Sequence, residues 1–106
     1  MDVRSLLPEL KQHARIDTAS EDSGLELMLE TAAADVAHAG NITLPEHLSD
    51  LPDDLLFAII DQAAKTYDQR AADEAKPGLS LAASRIVHRY RGVGIGFTET
   101  EAEADG

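Results

Sequence analysis

The chain has 106 residues with 43% apolar and 27% charged residues, enough apolar content for one small folded domain and too little length for two. Nine Lys and Arg against 20 Asp and Glu give a formal charge of -11, which opposes general affinity for nucleic-acid phosphates. The absence of Cys excludes disulfides, thiolate metal ligands and thiol nucleophiles, and no apolar run approaches the roughly 20 residues of a membrane span or reads as a secretion signal.

Ser5 followed by Leu6, Leu7, Leu10 and Ala14 reads as an N-cap and an apolar stripe at helical spacing, with Pro8 in the first turn, and predicts a helix over residues 6–14. Thr18, Ser20, Glu21 and Asp22 place capping and acidic residues at the start of a second helix, whose stripe is Leu25, Met28, Leu29, Ala32 and Val36. Gly40 stands where a residue just past the helix is predicted. Residues 41–49 lack a period and form a connector, pinned to the core by Ile42, Leu44 and Leu48. Asp50, with Asp53 three residues on and Pro52 between them, predicts the opening of a third helix. That helix carries the strongest stripe in the chain: Leu55, Leu56, Ile59, Ile60, Ala63 and Tyr67. Pro77-Gly78 breaks the chain, and Ser80 caps a fourth helix with Ala82, Ala83, Ile86, Val87 and Tyr90 on its stripe, running to Gly92.

From Val93 to Phe97 side chains alternate with glycines, the pattern of a thin extended arm, and residues 98–106 read as a disordered acidic tail. The expectation is an all-α fold: a bundle of about four helices over residues 1–92, then the arm and tail over 93–106. The Ala-rich faces at Ala32–Ala34 and Ala63-Ala64 allow close helix approach, so the second and third helices are expected to supply much of the core and of any contacts between subunits.

The residue types needed for catalysis do not assemble in this pattern. His13, His38, His47 and His88 have no pair at the spacing that sets two imidazoles on one helix face, so no metal site or cofactor is predicted. No Gly-x-Ser-x-Gly turn exposes a nucleophile, and the glycines at 92, 94 and 96 follow a helix, whereas a phosphate cradle follows a strand. The carboxylate pairs Glu21-Asp22, Asp53-Asp54 and Asp73-Glu74 fall at helix starts and loops, where helix-end electrostatics accounts for them. No enzymatic activity is expected.

The informative feature is charge segregation. Residues 79–97 contain Arg85, Arg89, Arg91 and His88 and not one acid. A basic helix followed by a glycine-apolar arm has the form of a docking element, in which the arm offers backbone groups and the arginines offer charge to an acidic partner. The residues involved are Arg85, Arg89, Tyr90, Arg91, Val93, Ile95 and Phe97. A solvated helix face with a frayed end gives the same pattern, and so does a small regulatory module whose basic helix over 85–91 touches nucleic acid, although Tyr90 is its one stacking aromatic and the net charge opposes it.

The order of elements also resembles a known family. Leu10-Lys11-Gln12-His13-Ala14-Arg15-Ile16-Asp17, the acidic Glu21-Asp22 and the Ala-rich helix over 25–39 resemble the opening of the head-tail connector, or adaptor, proteins of tailed bacteriophages and gene transfer agents. Leu51-Pro52-Asp53-Asp54-Leu55, leading to Tyr67-Asp68-Gln69-Arg70, is similar to their central helix, and Ile86-Val87-His88-Arg89-Tyr90-Arg91 to their closing segment. The likeness spans roughly residues 6–92. Ala14 stands where Leu is common and His88-Arg89 where Ala-Pro is frequent. The resemblance implies a virion protein of the neck, made in the host bacterial cytoplasm and assembled as a homo-oligomer, usually a ring of twelve. It implies a portal protein on one side, a stopper or tail-completion protein on the other, and DNA passing through without specific binding. It also implies that the C-terminal segment reaches the portal, and no catalysis or membrane contact.

Overall fold

The computed structural model describes residues 1–72 and 78–92, with side chains through 69 and from 78 to 90. A 3-10 turn over Val3–Leu6 leads directly into α1 (Leu7–Ala14), followed by α2 (Asp22–Gly40), a 3-10 turn over Leu48–Asp50, α3 (Asp53–Ala72) and α4 (Leu81–Gly92). The fold is all-α, with no strand among the described residues. The arm over 93–97 and the tail over 98–106 lie outside them.

The apolar stripes read from the sequence are the ones that pack. Leu10, Leu25, Leu29, Val36 and Ile59 are the largest fully buried side chains, with Leu55, Ala58 and Ala63 beside them. α2 and α3 form the most extensive helix pair, and α1 and α4 pack on α3. Ala32, Ala33, Ala63 and Ala64 are buried within the subunit. Their small side chains serve the close approach of the chain's own helices, while Ala34 of the same run is exposed. Ile42 is buried in the connector, and Leu44 and Leu48 pack against the core half-buried.

The helix ends depart from the sequence reading at the starts of α1, α2 and α3 and at the end of α2. Ser5 does not cap α1: its hydroxyl donates back to the Asp2 carbonyl at 2.7 Å inside the 3-10 turn, and α1 begins at Leu7. Asp50 likewise lies in a 3-10 turn, and α3 starts at Asp53, with the Leu56 amide donating to the Pro52 carbonyl at 3.0 Å. Gly40 is not the residue past α2 but its last helical one. The left-handed conformation falls on Asn41, at φ 53°. The Ile42 amide returns to the Ala37 carbonyl at 2.9 Å and the Asn41 amide to that of His38 at 3.2 Å, which is a Schellman ending. Gly40 is needed for another reason: a Cβ there would lie 2.5 Å from Ile42 and 3.2 Å from Val87.

The same ending closes α1. Arg15 takes the left-handed conformation at φ 60°, with the Ile16 amide on the Lys11 carbonyl at 2.8 Å. This gives the phrase Ala14-Arg15-Ile16-Asp17 a structural meaning, since the turn returns Ile16 to the core. No side chain caps α2; Asp22 in its first turn accepts from Lys11 Nζ at 2.8 Å instead, tying α1 to α2.

Candidate docking surface on the fourth helix

The start of α4 is built from buried polar groups. The Ser80 hydroxyl accepts the Ala83 amide at 3.1 Å, the N-cap read from the sequence. The Ser80 amide donates to Gln62 Oε1 at 2.6 Å, and both residues are buried. Lys65 Nζ donates to the carbonyls of Gly78 and Leu79 at 2.8 and 3.2 Å, so α3 side chains hold the turn that precedes α4. Gly78 is at φ +99°, a conformation that an L side chain rarely adopts.

The far end of α4 is held by one carboxylate. Asp54, in the first turn of α3, accepts the Tyr90 hydroxyl on Oδ1 at 2.7 Å and Arg89 on Oδ2 at 3.0 Å. The Leu55 amide also donates to Oδ1, at 2.8 Å. Burial and the negative Asp54 acceptor together push the Tyr90 phenol up to about 12, because both disfavour the phenolate, while Arg89 acts in the opposite sense. Sequence reasoning assigned Asp54 to helix-end electrostatics alone. Its partners are 35 and 36 residues away, and no local signal announces them.

Between these ends, Ala83, Ile86 and Val87 are buried while Leu81, Ser84, Arg85, His88 and Arg89 face outward. The residues expected to dock therefore divide. Arg89 and Tyr90 are brought together and engaged by Asp54. Arg85 is exposed on the outward stripe and has no ion pair among the described residues. Arg91 is within α4, with its side chain outside the described residues, and Val93, Ile95 and Phe97 lie wholly outside them. Ile86 and Val87 belong to the core, so α4 is part of the folded domain.

The rest of the described surface carries no comparable cluster. No group of three or more His, Asp or Glu side chains among the described residues could hold a metal ion. His13 Nε2 meets Asp61 Oδ1 at 2.9 Å with Phe57 edge-on at 5.6 Å, beside an open 360 Å³ recess whose lining mixes Arg15 and Lys65 with Asp61 and Asp68. No helix among the described residues is long and apolar enough to cross a membrane.

The described residues form a small all-helical fold with a core of its own and a basic outward helix held at both ends. Its particular family is given by the sequence match: residues 5–91 fit the model of the phage gp6-like head-tail connector protein family, and the chain belongs to that family. No match was found among curated proteins or among solved structures. Membership implies a structural component of the virion neck that interacts with other phage head and tail proteins.

Proposed function

We propose that the chain is the adaptor subunit that joins portal to stopper or tail, working as a closed ring, twelve copies being the number the resemblance implies, through which DNA passes. The observation that carries this reading is the anchored basic helix α4. Asp54 fixes its C-terminal end through Arg89 and Tyr90, and the chain leaves that fixed end toward the glycine-apolar sequence Val93 to Phe97. Arg85, Arg89, Tyr90, Arg91, Val93, Ile95 and Phe97 form the proposed portal-docking element, in which Arg89 and Tyr90 hold the root and the later residues reach the partner. A charge of -11 on each copy gives the ring a negative field, so DNA phosphates pass without being retained. The subunit acts by position and shape and not by catalysis.

A chain ending at Gly92 tests this directly, since it keeps Ile86 and Val87 in the core. It is expected to retain the helical circular dichroism and melting transition of the full chain while losing attachment to the portal protein of the same phage. Undiminished attachment by the shortened chain would remove the docking role of residues 93–97.

A further inference from the structure

Ala32, Ala33, Ala63 and Ala64 are buried inside the subunit, which leaves the exposed apolar side chains as the groups available for contacts between copies. Leu81 and Leu27 are the two most exposed large apolar side chains among the described residues, at 69% and 57%. Each heads a stripe at helical spacing. On α2, Leu27 is followed one and two turns on by the exposed Thr31 and Asp35; on α4, Leu81 is followed by the exposed Arg85 and His88. Leu27 also borders an apolar groove of 270 Å³ with Gly24, Met28 and Thr31 of α2 and Thr66 of α3. Gly24 has nothing within 4 Å of where a Cβ would stand, so the groove is open at its N-terminal end.

Asp35 on the first stripe and Arg85 on the second carry opposite charges. Asp35, Arg85 and His88 make no ion pair among the described residues, whereas Glu26 and Glu30 are engaged by Arg4 and Asp22 by Lys11. We infer that α4 of one copy lies parallel on α2 of a second copy, with Leu81 seated in the groove beside Leu27 and with Arg85 and His88 on the Leu27 side of Asp35, within side-chain reach of its carboxylate. Along the helix axis Asp35 lies about 12 Å beyond Leu27, and Arg85 and His88 lie about 6 and 10 Å beyond Leu81, so His88 comes level with Asp35 and the long Arg85 side chain reaches about one turn along the axis to meet it. The antiparallel arrangement is disfavoured because it brings the bases beside Asp22, which Lys11 already holds.

The contact is heterologous, because one patch meets a different patch, and such contacts close into rings when the rotation between copies permits. It rests on the ring reading above and assigns Arg85 to the neighbouring copy, so that the portal-docking element begins at Arg89. Two leucines and one charge cluster make a small interface, well below the roughly 1,200 Å² of a stable pair, so each contact is weak and gains from closure of the ring.

The absence of Cys makes a clean test available. Full-length Leu27→Cys and Leu81→Cys proteins are mixed at high concentration and oxidised. A disulfide requires Cβ atoms about 4 Å apart, so it reports contact. The expected result is a 27–81 cross-linked heterodimer that forms in the mixture and in neither protein alone. Adding Arg85→Glu to the Leu81→Cys protein is expected to lower the yield about two- to fivefold, and Asp35→Arg on its partner to restore it. No mixed cross-link, equal 27–27 and 81–81 products, or no restoration by the charge exchange would overturn the proposal. Native mass of the wild-type chain separates this from the ring reading. A closed ring without the 27–81 bond overturns the interface and leaves the ring standing, whereas a 27–81 bond with no closed ring supports the interface and contradicts the ring.

Discussion

The α2–α3 pair and α4 are held in place by different physics. Leu25, Leu29, Val36, Leu55 and Ile59 bury apolar surface almost completely between two long helices, with the Tyr67 hydroxyl donating to Glu21 at the rim. α4 is a shorter helix with a narrower buried face of Ala83, Ile86 and Val87, and it relies on polar anchors at its two ends: Gln62 and Ser80 at the start, Asp54 at the finish. The pair supplies the stability of the subunit. Arg85 and His88 on the outward face of α4 can be altered with little disturbance to that core, since neither is buried nor ion-paired among the described residues.

The sharpest break of this comparison is a cavity in the pair. Leu29→Ala or Ile59→Ala is expected to lower unfolding free energy by about 2–5 kcal/mol, measured by chemical denaturation, because both side chains are fully buried. Gln62→Ala leaves the buried Ser80 amide without its acceptor. A loss of about 1–3 kcal/mol is expected, with hydrogen exchange accelerating at the start of α4 before the α2–α3 pair is affected. Ser80→Ala removes the cap and is expected to take away about 1 kcal/mol, with the same local signature. Equal acceleration throughout the protein in these two variants would contradict the division between the two regions.

The smallest effect is at the far anchor and depends on pH. The Tyr90 phenol is raised in the folded chain from 10.0 to about 12. Its contribution is therefore complete below pH 10 and declines as pH rises through about 12, since the unfolded chain loses the proton first. Relative to Tyr90→Phe, the wild-type chain is expected to lose its advantage over that window, and in a Tyr67→Phe background ultraviolet titration is expected to find the remaining tyrosine ionising near 12. A tyrosine titrating at its ordinary value would show that the Asp54 contact is not made in solution.

Helix interiors were legible in the sequence because burial imposes a period. The stripes through Leu10, Leu29, Ile59 and Ile86 are the faces that pack, and the all-α class follows from them. The Ser80 cap was legible because its acceptor is three residues away. The starts of α1 and α3 were not, because a 3-10 turn precedes each and places Ser5 and Asp50 outside the helix they were expected to open. Gly40 illustrates a different limit. Its smallness answers to Ile42 and to Val87, a partner 47 positions away, while Asn41 takes the left-handed turn. Of the docking surface, the charge segregation over residues 79–97 was readable, but the Asp54 anchor was not, because a long-range hydrogen bond leaves no periodic trace.

The most direct test of the central claim is the native mass of the full-length protein, alone and mixed with the portal protein of the same phage. A closed ring, or an oligomer that appears only with portal, is the result predicted for an adaptor. A monomer or dimer that remains unchanged in the presence of portal would contradict it.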